Sequence, residues 1–296
     1  MIFPFAVVVC AAMTGAGFRN PADLLTLAAA GLTAYLIVEM NTSFALIRTR
    51  TILHASLYLL FYASCTFLHT YSHDTWLPPL FVAGMYFLFQ SYESPRASVP
   101  VFHSFICLGA GSFIHPMLLC FIPLVWLFMA ALRSFNAKNF IAGIMGAALP
   151  WWLALCYGLC TGKTEEVFRP FTEAFRFSFP DYSTLPPQQL ASCGAVAALT
   201  GIACAQMFGK GQQDKVRTRI MLRIIAWTGA AALTAAMLFP SCMGTATAVM
   251  TVTYAITSGR LYTLTYNRFT GILLWATLGI WILLTAFNVW TSLFSS

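Results

Sequence analysis

The chain has 296 residues, of which 59% are hydrophobic and only 8% charged, with a formal net charge of +7. Soluble domains carry roughly 25% charged residues, and one domain of this size cannot hide so much apolar surface from water. The composition therefore excludes a soluble globular domain, a disordered chain, a nucleic-acid binder and a disulfide-stapled secreted domain. It leaves an all-α, polytopic transmembrane helical bundle.

Apolar runs free of Lys, Arg, Asp and Glu fall near residues 2–17, 24–38, 52–68, 76–92, 98–114, 117–132, 140–160, 190–208, 224–239, 241–257 and 269–293. Each is an expected span, several of them close to the lower limit of roughly 17 residues for a crossing helix. The first lacks a basic n-region, so it reads as a retained span and not a cleaved signal. The joints at His115-Pro116 and at Pro240 are tight enough to mark a kinked helix or a re-entrant pair. The expected count is about nine to eleven, with eleven preferred.

Loop charges give an orientation. With eleven spans and a cytoplasmic N-terminus, the inward loops hold Arg48, Arg50, Arg96, Arg133, Lys138, Lys210, Lys215, Arg217, Arg219, Arg223, Arg260 and Arg268. The outward loops hold Arg19, Lys163, Arg169 and Arg176, with the acids Asp23, Asp74, Glu165, Glu166, Glu173 and Asp181. Lys and Arg collect on cytoplasmic loops, so the pattern predicts a single integral-membrane domain, residues 1–296, with the C-terminus outside. Two loops exceed a turn. The outer one carries Phe168, Phe171 and Phe175 at i, i+3, i+7 spacing, interrupted at Pro170 and ended by Pro180. This predicts an amphipathic segment near 164–178 on the outer interface. The inner loop, 209–219, is polar and basic and reads as a solvated linker near anionic headgroups.

Nine cysteines lie mostly inside the apolar runs without CxxC spacing, and read as small buried hydrophobes. Phosphate-loop, HExxH and GxSxG motifs are absent, and no cofactor is identified. Gly109 and Gly111 with Ser112, and Gly143 with Ala147, read as close helix packing. Trp76, Trp151, Trp152, Trp275, Trp281 and Trp290 read as lipid-facing or interface aromatics.

Polar groups near membrane depth are costly and therefore informative. Glu39, Arg48, Arg50, His54 and His103 gather near the cytoplasmic boundary. They form either a binding vestibule or ordinary interfacial residues with Glu39 paired to Arg48 or Arg50. On the outer side, His69 and His73 are four apart, which places both on one face if the third helix extends that far. Asp74 follows, and His115 lies at an outer joint. Together with Glu165, Glu166 or Glu173 these residues suit a divalent metal or acid–base chemistry; the alternative is a solvated loop. The candidate catalytic residues are Asp23, Asp74 and His115, and the candidate metal ligands His69 and His73.

Two resemblances follow from longer stretches. Residues 41–51, NTSFALIRTRT, are followed by an apolar helix. Residues 102–150 then give a small-residue helix, a short joint, a Leu/Phe/Trp-rich helix, an Arg-x-Phe turn and a helix ending in Pro, and KVRTRI precedes another helix pair. This order resembles a family of uncharacterised polytopic inner-membrane proteins of Bacteroidetes, over most of the chain. Residues 109–133, GAGSFIHPMLLCFIPLVWLFMAALR, resemble integral-membrane glycosyltransferases that use lipid-linked sugars. That resemblance implies a catalytic acid on the first outer loop, where Asp23 stands in FRNPADLL.

Three classes of function are left open. One is an envelope-biogenesis enzyme transferring or polymerising a polyprenyl-linked glycan. Another is a lipid or small-molecule transporter or flippase using the inner vestibule. The last is a non-catalytic subunit with protein partners in the membrane. Membrane lipids are partners in all three, and nucleic acid in none.

Overall fold

Every apolar run from 24–38 onward carries a helix, because an apolar chain that keeps its backbone hydrogen bonds internal is compatible with lipid. The computed structural model describes residues 6, 9, 22–49, 51–94, 96–165, 168–169, 182, 185–210, 215–264 and 268–294. Among them there is no strand. The helices are α1 (Asp23–Phe44), α2 (Leu53–Ser64), α3 (Leu77–Gln90), α4 (Ser98–Gly111), α5 (Ile122–Ala131), α6 (Ala137–Thr161), α7 (Pro187–Lys210), α8 (Val216–Leu238), α9 (Met243–Leu264) and α10 (Arg268–Phe294). The expected first span lies outside the described residues, apart from residues 6 and 9.

Among the described residues, five stretches are long and apolar enough to cross a membrane: 23–44, 137–161, 187–208, 216–238 and 270–291. The other runs fall short of the eleven-span expectation for local reasons. The run 52–68 breaks at Cys65 into a single 3-10 turn, Thr66–Leu68. The run 117–132 opens as a 3-10 helix, Pro116–Phe121, which leaves α5 only 10 residues. At 1.5 Å per residue, α5 spans about 15 Å of a hydrocarbon core of about 30 Å. Proline accounts for that break, since Pro116 and Pro123 donate no backbone amide.

The fold forms two compact units, residues 1–79 with 180–296, and residues 80–179. Unit 1 is built around α9, which packs against α2, α7, α8 and α10 and is buried on all sides from Thr245 to Leu261 apart from Val249. Its apolar core includes Leu57, Phe61, Val196, Leu199, Ala236 and Met250. α2 and α9 run antiparallel. Gly259 faces His54, the Tyr254 ring meets the Phe61 ring edge-on at 4.7 Å, and Gly244 faces Phe67. The contacts sort the charges of unit 1. Asp23 and Asp74 lie at the end where α9 begins. Arg217, stacked over Phe44 at 5.5 Å, and the buried Arg260 lie at the other. α7 runs through Lys210 and α8 starts at Val216. Arg217 and Arg219 of the expected linker therefore occupy the first turn of α8.

In unit 2, α4 and α6 cross at glycines. A Cβ on Gly109 would stand 2.6 Å from the Ala147 carbonyl oxygen, and one on Gly146 would stand 2.5 Å from that of Phe102. The expected close packing at Gly109 and Gly143 is present, with Gly143 under the Phe105 ring. Two of the tryptophans expected to face lipid or the interface also donate hydrogen bonds within the fold. Trp151 Nε1 donates to Ser112 Oγ at 2.7 Å, and in unit 1 Trp281 Nε1 donates to the Leu60 carbonyl. The amphipathic segment 164–178 lies mostly outside the described residues; within it, the Phe168 ring stacks on Trp151. The described cysteines are free. Cys65 and Cys193 are buried as expected, whereas Cys120, Cys156 and Cys160 are exposed on helix faces.

The crossing yields a stability prediction. Gly109→Ala and Gly146→Ala force backbone apart from backbone, and each should cost about 1–3 kcal/mol. At Gly31 an added methyl would meet nothing within 4 Å, so Gly31→Ala should gain slightly through helix propensity. Thermal unfolding in detergent checks the contrast; equal behaviour of all three variants would refute it.

Candidate functional site

At the acidic end of unit 1, the outer candidates are knitted into the fold. Asp23 opens α1 and is buried at 4% exposure; its Oδ1 accepts the Tyr71 backbone N–H at 3.1 Å. Thr26 Oγ1 is 2.6 Å from the Asp23 carbonyl oxygen and 3.1 Å from that of His69. Tyr62 OH reaches the carbonyls of Thr26 and Leu68. His69 Nε2 lies 3.1 Å from the Tyr62 carbonyl, and since a carbonyl only accepts, Nε2 carries the proton. These bonds satisfy the irregular backbone between α2 and α3, which has no ladder of its own. Burial pushes the His69 imidazole below its ordinary value, with the Tyr62 carbonyl opposing the shift.

The expected His69–His73 pairing on one helix face is not formed. α2 ends at Ser64, and His73 begins a separate 3-10 helix, His73–Trp76, where it is exposed. Asp74 Oδ2 accepts from Thr245 Oγ1 of α9 at 2.8 Å. His115 belongs to unit 2, half-buried ahead of the 3-10 helix Pro116–Phe121. Glu166 and Glu173 lie outside the described residues. Among the described residues no group of three or more His, Cys, Asp or Glu is placed to hold a metal.

The basic end is different. Glu39 accepts from Ser43 Oγ one turn later, at 3.0 Å. Asn41 Oδ1 takes the Ile47 N–H at 2.8 Å and shapes the turn that leaves α1 through Ala45, whose φ is 49°. Arg48 is exposed, and Arg50 lies outside the described residues. His103 sits in unit 2, exposed, its ring 5.2 Å from that of Phe87. His54, in the first turn of α2, is 1% exposed, and neither ring nitrogen has a hydrogen-bond partner among the described residues.

Three further residues went unnoticed in the sequence. Tyr254 OH and Ser258 Oγ on α9 are buried without a hydrogen-bond partner among the described residues. Asn288 of α10 donates through Nδ2 to the Ser64 carbonyl at 2.6 Å and to Ser192 Oγ at 3.3 Å, tying α2, α7 and α10 together. The signal for the first two was the hydroxyl density of TATAVMTVTYAITSGR, too polar for a helix facing lipid on every side.

The buried His69 generates a pH prediction. A folded-state value below the unfolded one means that folding favours the neutral ring. Its stabilisation is complete above the ordinary value of about 6.5 and is lost progressively as pH falls below it. Thermal stability of the wild type should therefore drop as pH falls below about 6.5, and His69→Gln should flatten that slope. An unchanged slope in the variant would remove His69 as the cause.

Comparison with protein-family models, with curated proteins and with solved structures finds no match to this chain.

Proposed function

We propose that this chain is a multi-pass protein of the bacterial inner membrane that handles a lipid-linked substrate in cell-envelope biogenesis and recognises it at the basic end of unit 1. The stretches 41–51 and 102–150 support grouping it with the polytopic Bacteroidetes proteins they resemble. The charge sorting of unit 1 supports a cytoplasmic basic end. One observation carries the reading: His54 is a buried imidazole with no hydrogen bond among the described residues, at the end where Arg260 is buried. Buried polar groups without partners cluster where a ligand or water completes them.

The same geometry weighs against sugar transfer from the acidic end. A general base must come within hydrogen-bond reach of the proton it takes. Asp23 is buried and holds the Tyr71 amide, while Asp74 holds Thr245. Both carboxylates do structural work that an asparagine retains in part.

Vesicles reconstituted with the full chain and a fluorescent polyprenyl-phosphate probe test the reading. The wild type should bind the probe and move it between leaflets. His54→Ala should reduce movement about tenfold or more, the scale of one lost charge-assisted hydrogen bond. Asp23→Asn, Asp74→Asn and His115→Ala should insert and stay within about twofold to threefold of wild type. Loss in these three with normal His54→Ala would instead establish the transferase reading.

A further inference from the structure

We infer that His54, Ser258 and Tyr254 form an oxyanion site between α2 and α9, taking the phosphate of an amphiphile; the inference rests on the reading above for its choice of ligand. The hydroxyls of α9 supply the first argument. Thr247, Thr251, Thr257 and Thr263 each donate to the carbonyl four residues back, as a hydroxyl on a buried helix does when nothing else is offered. Ser258 does not. Its Oγ makes no such bond to the Tyr254 carbonyl. Tyr254 OH stands too far from its own backbone to do so. Tyr254 OH and Ser258 Oγ stand four apart on one helix face, both residues at 1% exposure or less and neither oxygen in a hydrogen bond among the described residues, with the hydroxyls of Tyr262 and Thr277 also near Tyr254.

The second argument is the fit of α2 against α9. A Cβ on residue 259 would lie 2.7 Å from the His54 Cβ and 3.0 Å from its Cα. Gly259 thus admits His54 against the turn of α9 that carries Ser258, and both ring nitrogens are without a hydrogen-bond partner among the described residues. One turn deeper, the Tyr254 ring rests on Phe61.

The third argument is charge. The described acids of unit 1 are Asp23 and Asp74 at the opposite end and Glu39, which takes the Ser43 hydroxyl. Arg260, at 8% exposure, follows Gly259 directly. Imidazole N–H and two hydroxyls are a donor set for an acceptor-rich anion, whose phosphate oxygens accept from all of them, and the buried Arg260 adds positive charge at the same end of the unit. The apolar helices around α9 suit an attached hydrocarbon chain.

The test uses the full chain in lipid nanodiscs, titrated with a long-chain polyprenyl phosphate, the matching uncharged polyprenol, and inorganic phosphate, and read by native mass spectrometry. The polyprenyl phosphate should bind, the polyprenol should not, and Tyr254→Phe, Ser258→Ala and His54→Gln should each weaken binding about fivefold to tenfold. Thr257→Val, whose hydroxyl is satisfied internally, serves as a control and should leave binding unchanged. Tyr254→Phe removes a single atom, so a loss there is not a folding defect. Binding of inorganic phosphate with equal strength and equal sensitivity to the variants keeps the site and names free phosphate as its source, overturning the lipid reading. Polyprenyl phosphate binding that is indifferent to all three variants overturns the site and leaves the lipid reading standing. No binding of either phosphate overturns both.

Discussion

Unit 1 depends on how a hydroxyl-rich helix is buried on all sides. Burying an unpaired hydroxyl costs about 1–3 kcal/mol, and α9 buries many. It meets that cost locally, with Thr247, Thr251 and Thr257 each closing on the carbonyl one turn back. The helix then shows its neighbours methyl groups, so α2, α7, α8 and α10 pack on it with apolar faces. Close approach requires small partners. A Cβ on Gly229 of α8 would stand 2.7 Å from the Thr253 Cγ2, and Gly259 accommodates α2 in the same way. Because the threonines are self-sufficient, the few groups that are not stand out.

Those groups divide the two ends of unit 1 by role. At the acidic end, the buried candidates have partners within the fold. Asp23, Thr26, Tyr62 and His69 together hold the irregular segment between α2 and α3, and Asp74 anchors the start of α9. Asn288 adds a knot among α2, α7 and α10. Such bonds fix where the helices begin and end, and they explain why polar residues lie there without any need for a reaction. At the basic end, the Asn41 side chain shapes the exit from α1, but His54, Tyr254 and Ser258 have no such employment.

The sequence discloses the helix positions well, because a hydropathy run and a helix in an apolar surrounding obey the same constraint. It discloses length less well. Hydropathy does not register that Pro116 and Pro123 take amides out of the ladder, or that the chain turns at Cys65 into 3-10 geometry. The spacing of His69 and His73 is helical on paper only; the break at Ser64 intervenes. Asp23 looks like a candidate base from its place before α1, and only the fold shows Tyr71 returning to it across 48 residues. The division into two units has no linker signature, since the chain leaves unit 1 and returns to it through stretches of ordinary composition. Tyr254 and Ser258 were hidden for a simpler reason. Threonine, serine and tyrosine score near neutral on a hydropathy scale, so a buried polar helix reads as a mediocre apolar one.

The basic end can be argued one step further. A buried imidazole left without partners destabilises a fold unless something completes it, and replacing it by an apolar side chain is the easy remedy. Here the arrangement runs the other way. Gly259 gives up helix propensity, about 1 kcal/mol relative to alanine, to bring His54 against α9. The packing thus brings a polar group without a hydrogen-bond partner among the described residues to the end where positive charge is buried, whereas Asp23, His69 and Asp74 at the opposite end are all engaged. Unsatisfied groups of this kind concentrate where a protein meets its ligand, which supports the proposed recognition between α2 and α9.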